Sequence, residues 1–423
     1  MNEPLKPAEN RVGFHQKSGL SLRGRAAYVT CMKTEFDILI VGAGLVGLTA
    51  ALACASTGAH VALLDRAPVA AGKDGRASTL SATSLRVFEN LGVEIADHLQ
   101  PIRDMLVTEG DPNSPWRLHF EDDADGGGLG ALIENPALKA SLIKQASENS
   151  AIQLFAPIAV QDFIDGPAHI TVKTDQGELT ASLMVAADGR NSVLRRKAGM
   201  TSQQFDYDAA SLVTTISHDL PHEGLAWQRM IKGGALAALP LKGHRSQIVW
   251  SGPAKGIKAA EALNEADFLA LLSEKMDGYL GEMRCIAPRQ SYPLRLQVAD
   301  GFSNGRMALV GDAAHVIHPL AGQGLNLGLR DAAALADGVK MAIESGQDIG
   351  IASLLDYDLW RNMDTRSFGF LTHVISELSA SKLVGLDHVK RLGLGLTNRS
   401  PHLKSILEKR ASGAGREVPD LMR

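Results

Sequence analysis

The sequence predicts an α/β fold in which a parallel β-sheet with flanking helices carries an inserted antiparallel sheet, followed by C-terminal helices. Three observations predict it. Residues 36–65 contain two short apolar runs separated by an alanine-rich helical run, which is the pattern of a βαβ unit. Residues 201–288 contain runs of alternating apolar and polar residues, which are typical of antiparallel strands with one covered face. Residues 371–378 have the apolar spacing of an amphipathic helix.

Length and composition limit the class of protein. The 423 residues are 45% hydrophobic and 21% charged, as in folded globular proteins. The net charge of −4 gives no reason to expect nucleic-acid binding. No uncharged apolar run reaches the roughly 18 residues that a membrane helix needs. The 3 cysteines are far apart and form no CxxC pair, which favours a reducing compartment, and we therefore expect the protein in the cytoplasm.

The first chemical motif is a glycine-rich turn between a strand and a helix. The run 36–41 has the composition of a buried parallel strand, and Gly42, Gly44 and Gly47 follow it. Gly42 allows the tight turn, Gly44 lets a pyrophosphate approach the backbone, and Gly47 lets helix and strand pack closely. A second strand ends in Asp65, where a carboxylate can bind a ribose. The unit predicts dinucleotide binding without distinguishing NAD from FAD; a plain βα turn is the alternative.

Two later strands end in motifs that contain an aspartate. One strand-like run ends at Asp188-Gly189, and another ends at Gly311-Asp312. The second leads into the segment 311–326, which reads GDAAHVIHPLAGQGLN, and an alanine-rich helix follows. Glycines in such a segment allow the backbone to approach a flat ligand, and a helix N-terminus presents N–H groups to negative charge.

The segment 311–326 is the sharpest match to a known family. Through it and the earlier motifs, in the same order, the chain resembles the class A flavoprotein aromatic hydroxylases, the family of para-hydroxybenzoate hydroxylase. Within that family it most closely resembles the ubiquinone-biosynthesis hydroxylases. The resemblance covers roughly residues 35–340, and it implies a Rossmann-like FAD-binding domain with an inserted antiparallel-sheet substrate domain. Shorter matching runs are Gly75-Arg76-Ala77, Glu134-Asn135 and Tyr292-Pro293-Leu294.

The resemblance implies FAD as the cofactor, NAD(P)H as a transient reductant and O₂ as the co-substrate. It implies hydroxylation of an aromatic ring through a C4a-hydroperoxide of the flavin. The ubiquinone branch implies a hydrophobic aromatic substrate, a polyprenylated phenol of ubiquinone biosynthesis. Two alternatives stay open: hydroxylation of a small soluble aromatic acid, and a non-catalytic flavin-binding scaffold in a biosynthetic complex. Because the flavin carries the difficult chemistry, we name no catalytic acid or base.

The same resemblance implies that FAD is held along its whole length. Asp312 is expected to bind the ribityl chain, Arg76 the pyrophosphate or adenosine, and Pro319 to lie against the isoalloxazine ring. Backbone N–H groups after Pro319 face the negative charge of the reduced flavin. Arg190 and Arg195 are expected to interact with NAD(P)H. The predicted cofactor-binding residues are Gly42, Gly44, Val46, Gly47, Asp65, Arg66, Arg76, Asn135, Asp188, Gly189, Asp312, Pro319, Gly322, Gly324, Leu325 and Asn326.

Two histidines, His315 and His318, have the HxxH spacing of metal ligands. No third histidine, cysteine or acid stands at ligand spacing beside them, and Asp312 is needed for the flavin. We therefore predict no metal site and expect these histidines to pack beneath the flavin.

The order of the motifs divides the chain into segments. The predicted FAD-binding domain comprises residues 33–104, 134–200 and 289–345, and the predicted substrate domain comprises residues 105–133 and 201–288. Residues 1–32 are predicted to be a disordered extension, and residues 346–423 a C-terminal helical region.

The C-terminal region differs in charge from the rest of the chain. Residues 381–423 contain nine Lys/Arg and four Asp/Glu, a net charge of +5. With the amphipathic run 371–378, this basic region leaves two interpretations open: a helix packed on the core, which we favour, and peripheral contact with an anionic membrane, at its inner face, or with a biosynthetic complex.

Overall fold

The computed structural model describes residues 35–72, 74–109, 117–121, 128–231, 233–317, 323–365 and 418–423. Several sequence predictions lie outside the described residues. They are the disordered extension 1–32, the amphipathic run 371–378, nearly all of the basic region 381–423, and the residues His318, Pro319 and Gly322.

The described residues form helices and strands that alternate in the first part of the chain. The helices are α1 (Leu45–Ala55), α2 (Ala82–Asn90), α3 (Asn135–Glu148), α4 (Val193–Lys197), α5 (Ala254–Ala262), α6 (Glu265–Lys275), α7 (Gly324–Glu344), α8 (Ile349–Ala352) and α9 (357–365). The strands are β1 (Glu35–Val41), β2 (Val61–Leu64), β3 (Ala77–Leu80), β4 (Gln100–Pro101), β5 (Asp104–Glu109), β6 (Arg117–Glu121), β7 (Ala131–Glu134), β8 (Ile152–Phe155), β9 (Val160–Asp165), β10 (Ile170–Thr174), β11 (Gly177–Ala186), β12 (Ser202–His218), β13 (Leu225–Ile231), β14 (Gly234–Leu241), β15 (Arg245–Pro253), β16 (Met283–Cys285), β17 (Gln290–Ala299), β18 (Ser303–Asn304), β19 (Met307–Leu309) and β20 (His315–Val316).

The first sheet is mixed and has a parallel centre. Its main path is β18-β19-β11-β1-β2-β8, and β10 pairs with β11 and β9. β1 pairs in parallel with both β2 and β11, and its central residues Ile38, Leu39 and Ile40 are fully buried. Cys54 of α1 lies in the same core, and burial raises the pKa of its thiol to about 12. The predicted parallel βαβ unit is confirmed.

The second sheet is mostly antiparallel. Its main path is β20-β17-β12-β15-β14-β13-β5-β6, and β16 pairs with β12. Helices α5 and α6 cover one face, where Trp227, Leu236 and Phe268 are buried in one cluster. The antiparallel strands with a covered face that the pattern of residues 201–288 predicts are therefore present.

The second sheet takes its strands from more of the chain than its sequence pattern indicates. β17 and β20 belong to it, although they lie in the segment 289–345 that the sequence assigns to the FAD-binding domain. The reason is the length of β12, which offers β17 hydrogen bonds from Ser202 to Val213. β5 and β6 join the sheet through parallel pairing of β5 with β13. β7 instead pairs with β3 and β4 in a small three-stranded sheet.

The free face of the second sheet is held against the residues that precede and include β3. The Gln247 amide bonds both backbone groups of Ala77, and Thr215 Oγ1 donates to the carbonyl of Gly75 at 3.3 Å. Arg245 forms a two-point ion pair with Glu134 of β7 at 3.0 and 3.1 Å. These contacts hold the second sheet against the small three-stranded sheet of β3, β4 and β7.

The described C-terminal residues return to the core. Met422 is buried, and the Asp420 N–H donates to the Asp337 carboxylate at 3.1 Å. Within the part of the chain that the structure describes, no helix combines the length and the apolar character that crossing a bilayer requires.

Candidate functional site

The glycine-rich turn after β1 has two glycines that the fold requires. Gly42 has φ of +111°, and a Cβ on it would lie 2.3 Å from the carbonyl oxygen of Ala187. A Cβ on Gly47 would lie 1.8 Å from the carbonyl oxygen of Gly42. Both positions therefore exclude any side chain, because the obstruction is backbone.

Gly44 differs from these two glycines, because no atom lies within 4 Å of the place a Cβ would take. It is the N-cap of α1, no side chain caps this helix end, and the first turn contains no acid. The unpaired N–H groups and the positive end of the helix dipole therefore face open space. This is the arrangement that binds a phosphate.

Asp65 lies beside this turn at the end of β2. Its Oδ2 accepts a hydrogen bond from the Ala43 N–H at 2.7 Å, and its Oδ1 accepts one from the Ala67 N–H at 2.9 Å. The carboxylate thus braces the turn, and each oxygen keeps a lone pair that a ribose hydroxyl can use. The neighbouring Arg66 is exposed.

Arg76 and Asn135 meet at Asp74, which the sequence motifs do not single out. The Arg76 guanidinium bonds the Asp74 carboxylate at 2.8 Å, and Asn135 Nδ2 donates to the same group at 3.1 Å. Burial by itself would raise the pKa of the Asp74 carboxyl, but these two donors outweigh it and hold the pKa below its usual value. The guanidinium also lies 5.4 Å from the ring centre of Tyr292, which is on β17 of the second sheet.

Asp188 follows β11 and faces the start of α4. Its Oδ2 accepts hydrogen bonds from the N–H groups of Val193 and Leu194 at 2.8 and 3.2 Å. Its Oδ1 is buried and has no hydrogen-bond partner within the described residues. Gly189 has φ of +81°, which keeps the chain in the left-handed region at this turn. An unpartnered buried oxygen here is one that a ligand hydroxyl can satisfy.

Arg195 occupies a different place from the one expected. Its side chain is buried, and Nη1 donates to the carbonyl of Ala313 at 2.5 Å. It therefore braces the turn that contains Asp312. The expectation that Arg195 binds NAD(P)H is wrong, because a buried guanidinium bonded to the backbone is not available to a transient ligand.

The turn at Asp312 presents its carboxylate to solvent from a fixed backbone. The Gly311 N–H donates to Asp331 at 2.9 Å, and Arg195 holds the Ala313 carbonyl. Gly311 packs against Val46, since a Cβ on Gly311 would lie 3.1 Å from its methyl groups. Asp312 itself is exposed and has no hydrogen-bond partner in the described ranges.

Helix α7 begins beside this turn. Gln323 is its N-cap, its side chain does not cap the backbone N–H groups of the first turn, and no atom lies within 4 Å of a Cβ placed on Gly324. Asn326 bonds β3 through both ends of its amide, accepting from the Ser81 N–H at 3.0 Å and donating to the Thr79 carbonyl at 2.9 Å. Asn326 therefore fixes the helix start, while Leu325 stays partly exposed. The N–H groups of the first turn are open to a negatively charged ligand.

The site therefore fits FAD. The N-termini of α1 and α7 have no side-chain cap, and each lies at a glycine whose Cβ position is open. The exposed carboxylate of Asp312 and the unpartnered Oδ1 of Asp188 follow β19 and β11, which are neighbours in the first sheet. The sequence motifs indicate most of these residues. The structure adds Asp74, which directly precedes the matching run 75–77, and the contact of Tyr292 with Arg76.

A group of metal-type side chains lies elsewhere. Asp104, His119 and Glu121 place one ligand atom each within 4.8 Å of one another on the β5–β6 hairpin. His119 Nε2 lies 3.1 Å from Asp104, and Nδ1 lies 3.3 Å from Glu121, so both ring nitrogens already face carboxylates. The group is a polar cluster in which the imidazole of His119 lies between two carboxylates.

Comparison with known proteins gives the family. A family model described as the FAD binding domain matches residues 35–356. The ubiquinone hydroxylase UbiL of Rhodospirillum rubrum is 35% identical over 400 residues, which cover 92% of each chain. The ubiquinone biosynthesis monooxygenase COQ6 of Schizosaccharomyces pombe is 30% identical over 441 residues, which cover 89% of this chain and 91% of the relative.

Solved structures agree on the fold. The p-nitrophenol 4-monooxygenase PnpA of Pseudomonas putida has a TM-score of 0.76 at 20% identity, covering 92% of this chain and 100% of that chain. HpxO of Klebsiella pneumoniae, complexed with FAD and uric acid, has a TM-score of 0.68 at 18% identity, covering 90% and 97%. Together with the family match, these findings show that the chain is an FAD-dependent monooxygenase of the para-hydroxybenzoate hydroxylase type and belongs to the family of the ubiquinone hydroxylases.

Proposed function

We propose that this protein hydroxylates the aromatic ring of a polyprenylated phenol in ubiquinone biosynthesis, using FAD, NAD(P)H and O₂. The relatives named as ubiquinone hydroxylases support the pathway and the class of substrate. The observation that carries the proposal is the pair of uncapped helix N-termini at Gly44 and Gly324 together with the exposed carboxylate of Asp312, which suits one long anionic cofactor.

We place FAD by the chemistry of each part of the site. The N-terminus of α1 at Gly44 receives the pyrophosphate, and Asp65 receives the adenosine ribose. Asp312 receives the ribityl chain, and the N-terminus of α7 at Gly324 faces the pyrimidine edge of the flavin. The chemistry that FAD would supply when bound there is acceptance of a hydride from NAD(P)H and activation of O₂ for transfer of one oxygen atom. The chain binds, orients and shields it from water.

The free face of the second sheet is the proposed wall of the substrate pocket. Strand pairing places Val213, Val249, Ala235 and Ala237 on the same face as Gln247, which bonds β3. The two alanines leave room, and the two valines remain partly exposed. An apolar wall with small side chains suits an aromatic ring with a polyprenyl tail, since each buried CH₂ contributes roughly 0.8 kcal/mol.

Two arginines of the second sheet that could clamp the carboxylate of a small aromatic acid are already paired. Such a substrate needs a cationic or hydroxyl clamp for its carboxylate. Arg229 lies on the covered side of the second sheet and bonds Asp277 and the carbonyl of Lys275. Arg245 is paired with Glu134. Neither guanidinium is therefore available to a small carboxylate.

A turnover assay distinguishes the candidate functions. We expect the FAD-loaded protein to oxidise NAD(P)H faster when a short-chain prenylated phenol is added, with a product heavier by one oxygen atom in mass spectrometry. The matched probe is para-hydroxybenzoate, which should give no product. Product from para-hydroxybenzoate alone would show that the protein hydroxylates a small aromatic acid. The absence of product with both probes would favour a non-catalytic flavin-binding scaffold.

An exposed apolar ridge supports the proposed contact with a membrane. Ile351, Leu355, Leu359 and Met363 recur every four residues through α8, the turn after it and α9, and they are 46, 68, 64 and 64% exposed. The basic region 381–423 follows in sequence, and positive charge attracts anionic lipid. We propose that this ridge rests on the membrane that contains the prenylated substrate.

Charged substitutions on the ridge test this contact. Leu355→Glu with Leu359→Glu should lower binding to anionic vesicles by about tenfold, because two apolar side chains no longer enter the lipid. The control is Ile164→Glu, which changes an isolated apolar residue that is 54% exposed on β9. Co-sedimentation with vesicles measures the effect. Equal binding of all three proteins would show that the ridge does not contact lipid.

A further inference from the structure

One carboxylate beneath the Asp312 turn joins three separate parts of the chain. Asp331 of α7 is fully buried, and its Oδ2 accepts from the Gly311 N–H at 2.9 Å and bonds His315 Nε2 at 2.6 Å. Its Oδ1 accepts from Arg361 Nε at 2.8 Å. Arg361 is also fully buried and comes from α9, beyond the residues 35–356 that the family model matches.

His315 and Arg361 together offset the cost of burying the Asp331 carboxylate. Burial alone would raise the pKa of the Asp331 carboxyl, but the charges of His315 and Arg361 outweigh it and lower the pKa. The far end of the guanidinium bonds Asp364 at 2.5 Å, which orients it. Asp331 is therefore held as an acceptor for the Gly311 N–H.

Stability alone does not explain a buried ion pair at this position. Removing two charges from water costs several kcal/mol, and apolar residues of similar volume often replace such a pair without loss. The pair does have a positional effect here, since its carboxylate bonds the backbone residue next to Asp312. Arg195 holds the other neighbour, Ala313, and Val46 blocks Gly311 on the remaining side. The turn is thus fixed on each side of the one exposed carboxylate.

We propose that Arg361 is a positioning residue for FAD: through Asp331 it fixes the backbone of the Gly311–Ala313 turn where Asp312 meets the cofactor. The proposal rests on the placement of FAD given above. In this proposal α9 contributes to FAD binding indirectly, because Arg361 contacts Asp331 and Asp331 contacts the Gly311–Ala313 turn. Tyr357 of the same helix donates to the Leu309 carbonyl at 2.7 Å and holds the strand that leads into the turn.

A comparison of two buried arginines tests the proposal. Arg361→Met removes the charge beneath the turn. Arg306, the residue before β19, is buried to a similar degree, and its guanidinium bonds Asp348 and the carbonyl of Gly166, so Arg306→Met is the control. The readouts are the FAD dissociation constant, from quenching of flavin fluorescence, and thermal unfolding of the apoprotein. We expect R361M to weaken FAD binding about tenfold and R306M by less than about twofold, even where both lower the melting temperature alike.

Two further variants keep the test decisive. Arg361→Lys retains the charge and should recover most of the affinity, with the visible circular dichroism of bound flavin close to that of the natural protein. Arg361→Gln loses the charge but keeps a side chain that can donate a hydrogen bond, and it replaces R361M if R361M does not fold. Equal FAD affinities in the R361M, or R361Q, and R306M proteins would overturn the role of Arg361 while leaving FAD binding intact. Failure of the natural protein to bind FAD would overturn the placement of FAD.

Discussion

Replacing Gly47 with alanine is expected to prevent the protein from folding, whereas the same change at Gly44 is expected to leave the fold intact and weaken FAD binding. A Cβ on Gly47 would lie 1.8 Å from the Gly42 carbonyl oxygen and 3.2 Å from the Ala187 side chain. Backbone cannot move aside as a flexible side chain can, so we expect a loss of about 4 kcal/mol or more. At Gly44 the same Cβ meets no protein atom but occupies the place proposed for the pyrophosphate.

Urea unfolding of the apoprotein and titration with FAD separate the two effects. Gly256→Ala serves as the control, because Gly256 lies in α5 and no atom lies within 4 Å of its Cβ position. We expect this control to keep FAD affinity and to gain roughly 0.5–1 kcal/mol in stability. A folded Gly47→Ala protein with normal FAD affinity would contradict the packing of α1 on β1. A Gly44→Ala protein with unchanged affinity would move the pyrophosphate elsewhere.

Replacing Asp312 with alanine is expected to weaken FAD binding about 10- to 100-fold, the range of a hydrogen bond to a charged group. The carboxylate is exposed and bonds no other described residue, so the stability of the apoprotein should change by less than about 0.5 kcal/mol. Asp312→Asn keeps one acceptor oxygen and should lose less affinity than Asp312→Ala.

The matched control for Asp312 is Glu178→Ala, which removes an exposed acid at the start of β11. Fluorescence titration with FAD should show no change in this variant. If Asp312→Ala and Glu178→Ala bound FAD equally well, the ribityl chain would have to lie away from the turn.

Local rules account for the part of the site that the sequence predicts. Gly42, Gly44 and Gly47 are recognisable because one short strand, one turn and one helix follow one another directly, and each glycine meets a requirement set within that unit or by its ligand. Asp312 is recognisable in the same way because it follows a strand, and Gly324 is recognisable because it begins a helix. These patterns and the family resemblance also predict FAD, the enzyme class and the α/β fold, which the comparisons confirm.

Long-range pairings account for what the sequence does not predict. Asp331 and Arg361 are 30 residues apart and lie in helices whose sequences resemble ordinary packed helices. Arg195 follows the Asp188 motif in sequence, yet it reaches Ala313, 118 residues away, because β11 and β19 are neighbours in the first sheet. β17 joins the second sheet for a similar reason, since the length of β12 is a property of the folded sheet. The sequence around a residue does not predict which distant residue it contacts across a sheet.

The measurement that tests the central claim most directly is the mass of the aromatic lipids that accumulate when the gene is deleted in its own host. We predict a polyprenylated ring that lacks one oxygen atom relative to the next quinone precursor, with less mature quinone, and return of the quinone when the intact gene is restored. Unchanged quinone levels without an accumulated aromatic intermediate would contradict hydroxylation of a prenylated phenol in ubiquinone biosynthesis.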